Sequence, residues 1–250
     1  MEIIFIGTGG GRINLMKQIR GTGGFRINSS CANIHIDPGP GALVHSIRLK
    51  QNPISLDAVI STHGHLDHYN DIMVMIEGMS SYGLKKKGIL ICNENTINLV
   101  SEWHQAKLAE LFLVKKDARK EFKTKKESFE IETIGMKHDE DKAFGFKLYL
   151  DGTIVGHITD TEYFDELGER FSGCDLLIVN CIKPEKDEYK GHLETKDVIK
   201  ILKTAKPKKC VITHMGLKML RIGPAEQAKI IENETGVKTV AAKDGMKIEI

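Results

Sequence analysis

Thr62-His63-Gly64-His65-Leu66-Asp67-His68 packs three histidines and one aspartate into six residues, directly after the apolar run Asp57-Ala58-Val59-Ile60-Ser61. Imidazole nitrogen and carboxylate oxygen are the donors that suit zinc and similar divalent ions. In a tight loop after a strand, His63 and His65 can turn to one ion while Asp67 and His68 reach a second. Each ion needs about four ligands, so others must come from elsewhere. His138, Asp160 and His214 are the candidates, each at the end of a predicted strand or in a turn. The competing reading, a solvated polar loop, does not account for this spacing.

Working outward, the chain alternates short apolar runs with helical periodicity. Strands are predicted at 2–6, 32–37, 57–61 and 88–92. Ile72, Met75, Ile76 and Met79 share one helix face, and 95–113 reads as a helix with Leu99, Trp103 and Ala106 on a stripe. Alternation returns at Phe129, Ile131 and Thr133, and again from Phe144 to Leu150. Asp151-Gly152 then marks a hairpin. A buried strand at 175–181, a helix at 194–205, a strand at 209–213 and a helix at 224–235 follow, with two short strands closing the chain. Two sheets packed face to face with helices outside satisfy this count, in one α/β domain over 1–250.

The 250 residues are 41% hydrophobic and 28% charged, with a formal net charge of +2, so neither disorder nor overall basicity steers the reading. Cysteines 31, 92, 174, 181 and 210 form no C-x-x-C pair and suggest neither a disulfide framework nor a zinc ribbon. No secretory signal or membrane span is read, and a reduced, cytoplasmic protein is expected.

His63-Gly64-His65-Leu66-Asp67-His68 resembles the H-x-H-x-D-H signature of the metallo-β-lactamase fold superfamily. Gly7-Thr8-Gly9-Gly10-Gly11 resembles the glycine loop of its phosphodiesterase branch. Asp37 resembles the buried aspartate that orients the metal loop. His138, Asp160 in Ile158-Thr159-Asp160-Thr161, and His214 in Ile212-Thr213-His214-Met215-Gly216 follow in the family's order. The resemblance implies a four-layer αββα sandwich of two mixed sheets with helices outside. It implies one ion on His63, His65, His138 and a shared Asp160, and another on Asp67, His68, His214 and the same Asp160. A hydroxide held between the ions would be the nucleophile. Zinc is expected first, with manganese and iron also accepted by such donors.

His192, in Gly191-His192-Leu193-Glu194-Thr195, resembles the extra histidine of the ribonuclease Z and cyclic-phosphate phosphodiesterase branches, which contacts phosphate or protonates the leaving oxygen. Asp67 and His192 are therefore the catalytic candidates. A small or cyclic phosphodiester is the expected substrate, and the family also implies a homodimer. Other readings are a lactone, ester or thioester hydrolase on the same site, a ribonuclease Z-like endonuclease, and a nucleic-acid-binding protein with a degenerate site.

The remaining residues read more plainly. His35 is structural, and His45 and His104 are surface or packing residues. His157 replaces His138 as ligand only should His138 be remote. The cysteines are small buried hydrophobes. The glycine loop lacks a complete G-x-G-x-x-G and is a tight turn near the site. Arg12 or Arg26 could meet an anionic substrate. The basic runs 85–87, 115–126 and 206–209 are solvated faces that would attract nucleic-acid phosphates if they cluster. No long Gly/Pro-rich arm of the ribonuclease Z kind is present in the sequence, which favours the smaller substrate.

Overall fold

The computed structural model describes residues 1–184 and 191–250. The strands are β1 (Glu2–Phe5), β2 (Phe25–Asn28), β3 (Asn33–Ile36), β4 (Ala58–Ile60), β5 (Ile89–Cys92), β6 (Glu110–Leu113), β7 (Arg119–Lys123), β8 (Ser128–Gly135), β9 (Phe144–Leu150), β10 (Thr153–Ile158), β11 (Leu176–Asn180), β12 (Lys209–Thr213), β13 (Lys238–Ala241) and β14 (Lys247–Glu249). Among the described residues they form two seven-stranded sheets, ordered β14-β1-β2-β3-β4-β5-β6 and β13-β12-β11-β10-β9-β8-β7. Each is mixed. Pairing is antiparallel from β14 to β3 and parallel from β3 to β6; in the second sheet it is antiparallel from β7 to β10 and parallel from β10 to β13.

The helices are α1 (Gly11–Lys17), α2 (Ala42–Arg48), α3 (Leu66–Tyr69), α4 (Ile72–Met79), α5 (Glu94–Ile97), α6 (Glu102–Gln105), α7 (Leu167–Arg170), α8 (Thr195–Ala205), α9 (Leu217–Ile222) and α10 (Pro224–Thr235). Three apolar clusters show the layering. Ile3, Phe5, Ile36, Ile60 and Ile91 of the first sheet meet Phe129, Phe146, Leu148 and Ile178 of the second. Val59 and Leu90 face outward onto Ile72, Met75, Ile76 and Met79 of α4. Leu177, Val179 and Ile212 face outward onto Val198, Ile201 and Leu202 of α8 and Ala228 and Ile231 of α10. Central strands such as Ala58-Val59-Ile60 are apolar throughout because both of their faces are covered. The expected αββα sandwich is the observed fold.

Two expected elements differ. The helix expected over 95–113 is two single turns followed by a strand. Asn93 caps α5 by accepting from the Thr96 N–H at 2.8 Å, and Ser101 caps α6 by accepting from the His104 N–H at 3.4 Å. A capping side chain within a run restarts the helix rather than continuing it. Residues 110–113 then pair in parallel with β5. The basic run 115–126 contains edge strand β7, antiparallel to β8, where exposed Arg119, Glu121 and Lys123 alternate with half-buried Lys120 and buried Phe122. Strand β2 and helices α1 and α9 were not expected.

Candidate metal centre

The site lies where loops leave the carboxyl ends of strands, the usual place for a site in α/β sheets. Asp37 follows β3, and residues 61–68 follow β4. His138, Asp160 and His214 follow β8, β10 and β12 of the second sheet. The sheets also touch here through the Phe144 N–H donating to the Thr62 carbonyl at 3.2 Å. Every ligand suggested from sequence comes to this one place. Three groups of donors converge: His63, His65 and His138; His63, His68 and Asp160; and Asp67, His68 and His214.

The first position is built around facing imidazoles. His65 Nδ1 and His138 Nε2 lie 3.3 Å apart, and His138 Nδ1 faces the Gly191 carbonyl at 3.1 Å. That carbonyl can only accept, so it fixes the proton on Nδ1 and leaves Nε2 as a donor to a metal. His63 Nδ1 meets the Thr62 hydroxyl at 3.1 Å, while its buried Nε2 has no hydrogen-bond partner. At the second position His68 Nε2 lies 3.0 Å from His214 Nε2, and Asp67 Oδ2 lies 3.3 Å from the same His214 atom. Asp160 stands between, with Oδ2 3.4 Å from His68 Nε2 and Oδ1 3.3 Å from His214 Nδ1. Buried ring nitrogens left facing carboxylates and one another fit divalent cations.

The protonation states fit as well. Burial pushes the His63 imidazole well below its usual range and keeps it neutral. Burial works against charge on Asp160, but His214, His192 and His68 outweigh it and hold the carboxyl well below the usual range. Burial likewise opposes a charge on His68, yet Asp37, Asp160 and Asp67 draw positive charge to it. A divalent cation answers the same demand.

The surrounding residues fix these ligands. Asp37 accepts from the Thr62 N–H at 2.7 Å and the Thr62 hydroxyl at 2.9 Å, and meets His68 Nδ1 at 3.0 Å. The resemblance gave Asp37 this orienting role. Ser61 Oγ donates to the His63 and His68 carbonyls at 3.2 and 3.3 Å. Asn180 Nδ2 donates to Asp160 Oδ1 at 2.8 Å, and the Gly11 N–H to Asp67 Oδ2 at 3.2 Å. Asp37 and His214 have φ of 50° and 58°, a left-handed backbone that costs roughly 1–3 kcal/mol and persists where surrounding contacts enforce it.

Other expectations resolve individually. His192 is at the centre, its Nδ1 3.5 Å from Asp160 Oδ2. His157 is buried in β10, 3.7 Å from Asp37 Oδ2, and belongs to none of the donor groups. His35 is buried with Nε2 2.8 Å from the Gly23 carbonyl. The five cysteines are free and buried. The glycine loop does adjoin the site, at Gly10 and Gly11. Arg26 does not serve an anionic substrate: it is buried and donates to Asn28 Oδ1, the Asn52 carbonyl and Ser55 Oγ. The charged loop expected before His192 includes residues 185–190, which lie outside the described residues. No helix among the described residues is long and apolar enough to cross a membrane.

Sequence reasoning missed Thr62, Ser61, Asn180, Glu140 and the Gly191 carbonyl. Hydroxyls, amides and backbone groups carry no spacing signal; only the assembled loops reveal them.

Comparison with known proteins bears on the fold and the family. The chain is 34% identical to protein MJ1374 of Methanocaldococcus jannaschii over 260 aligned positions, covering 100% of this chain and 95% of that one. The metallo-beta-lactamase fold protein YhfI of Bacillus subtilis superposes with a TM-score of 0.81 at 19% identity, over 100% of this chain and 98% of that one. The short form of human tRNase Z superposes with a TM-score of 0.77 at 16% identity, with 100% and 98% covered. The fold is that of these structures, and the family supports a metal-dependent hydrolase. Residues 32–215 match the model of the beta-lactamase superfamily domain, and the chain belongs to that superfamily.

Proposed function

We propose that this protein hydrolyses a small or cyclic phosphodiester at a centre of two divalent ions, zinc foremost and manganese or iron as alternatives. The observation that carries the reading is His192. It is an imidazole beyond the seven candidate ligands, with its ring centroid 5.2 Å from that of His138 and 6.3 Å from that of His214. An alkoxide leaving group needs a proton that this imidazole can supply, and its place matches the extra histidine that the resemblance assigns to the phosphodiesterase branches.

His63, His65 and His138 would hold one ion and Asp67, His68 and His214 the other, with Asp160 shared. When bound, the ions would supply Lewis acidity and a nucleophile at neutral pH. Asp67, fixed by the Gly11 N–H, is positioned to take up the proton shed by the attacking water. Burial lowers the His192 pKa and Asp160 raises it, with burial prevailing. The negative charge of a phosphodiester favours the protonated form, and that proton passes to the leaving oxygen.

Two lysines of the basic segments lie far from the centre, whereas Lys116, at the start of the 115–126 run, packs on Gly135 at the centre's end of β8. Lys87 donates to the Ile54 carbonyl at 2.8 Å, and Lys126 donates to Asn33 Oδ1 at 3.1 Å. Both sit before the amino ends of their strands, at the opposite end from the centre. The eight residues of β8 separate Lys126 from the His138 loop, roughly 25 Å at ~3.3 Å per residue.

The test is hydrolysis of bis(p-nitrophenyl) phosphate and of a 2′,3′-cyclic nucleotide by zinc- or manganese-loaded protein, against a chelated control. Metal-dependent turnover of both is expected. His192→Ala should lower kcat on the cyclic diester by about 10²–10⁴ with two ions still bound. Unchanged turnover in that variant overturns the role of His192. Turnover of a lactone or thioester without any phosphodiester turnover overturns the substrate class.

A further inference from the structure

We propose that Glu140 is a positioning residue for one of the two metal positions only, the one formed by His63, His65 and His138. The inference rests on the reading of this cluster as a two-ion centre. Glu140 lies two residues after His138, and its carboxylate gathers donors from three segments of the chain. Oε2 accepts from the Gly64 N–H at 3.3 Å and from Asn93 Nδ2 at 2.6 Å. Oε1 accepts from Asn95 Nδ2 at 2.5 Å and from the Lys142 N–H at 3.0 Å.

Gly64 stands between His63 and His65. The bond to its N–H therefore grips the peptide that carries both ligands. The third ligand of that position, His138, is on Glu140's own loop. Asn93 is itself fixed, because its Oδ1 caps α5 and its Nδ2 also donates to the Lys142 carbonyl at 3.0 Å. One carboxylate thus ties the metal loop of the first sheet to the His138 loop of the second, with the end of β5 as the fixed post. Two oxygens with about four lone-pair directions can satisfy all these donors, and a neutral amide cannot.

The other position depends on different supports. His68 is held by Asp37 and Asp67 by the Gly11 N–H, while the shared Asp160 is held by Asn180. Loss of Glu140 should therefore weaken one ion and spare the other.

Zinc titration of the full-length protein against a competing chromophoric chelator tests this. The wild type should bind two ions. In Glu140→Ala the affinity for one ion should fall about 10–100-fold, the usual effect of removing a group that orients metal ligands. The other should stay within about threefold, and Glu140→Gln should lie between wild type and Glu140→Ala. In a His65→Ala background, which already lacks the first position, Glu140→Ala should cause no further loss. Equal weakening of both ions, no weakening, or further loss in that background overturns the inference. Should Glu140→Ala fail to fold, Asn95→Ala removes one donor, and a several-fold loss at one ion is expected; no loss overturns the inference. Fewer than two ions on the wild type overturns the two-ion reading itself, and the inference with it.

Discussion

Gly10 shows how closely single residues are fitted around the centre. A Cβ on residue 10 would lie 2.1 Å from His214 Nδ1. His214 cannot easily retreat, because its backbone is left-handed and its ring faces Asp67 and Asp160. Gly10→Ala should therefore reduce zinc affinity at the Asp67, His68 and His214 position on the order of 10–100-fold, as displacement of a ligand's support does. Circular dichroism should stay unchanged; metal stoichiometry after gel filtration checks the outcome. The loop of residues 63–68 could be read from sequence because four donors fall within six positions. His138, Asp160 and His214 carried no comparable local signal and were found through the order of the family's motifs. Arg26 was misread because a strand arginine looks the same in sequence whether it faces solvent or the Asn52 carbonyl and Ser55.

Among the elements, β3 carries a pH dependence. Burial, outweighing the contact with the Gly23 carbonyl, lowers the His35 pKa to about 4. The folded protein then binds fewer protons than the unfolded chain between about pH 4 and 6.5, so stability rises with pH there. The stabilisation is complete above about pH 6.5 and is lost as pH falls toward 4, amounting to about 3 kcal/mol. Urea unfolding at pH 7 and pH 5 should show a larger loss in the wild type than in His35→Gln. Equal losses would show that His35 does not titrate as a buried neutral group. Long periodic elements such as α4, α8 and α10 were legible because one face of each is apolar. Strands β6 and β7 were not. Both are edge strands: the short apolar run of β6, Leu111-Phe112-Leu113, fell within a stretch that reads as helix, β7 is mostly charged, and neighbouring β5 and β8 decide their conformation.

At the scale of the molecule, the inter-sheet core draws on residues from Ile3 to Ile248, and the metal centre draws on loops of both sheets. Ions at that junction stabilise the folded state by mass action, about 2.7 kcal/mol for one site at a hundredfold excess over Kd. For a domain of this size that corresponds to a rise in Tm of roughly 5–10 °C. Scanning calorimetry with zinc and then with chelator should show this difference; coincident transitions would mean that the loops hold no ion in the native state. The spread of ligands along the chain also bears on biosynthesis. His68 and His214 touch across the centre but stand 146 residues apart. On the ribosome, the histidine-rich loop emerges long before the partners that complete its coordination. An ion would therefore meet its complete site only late in maturation, and one captured early by the nascent loop would sit in a half-made site from which it can readily escape.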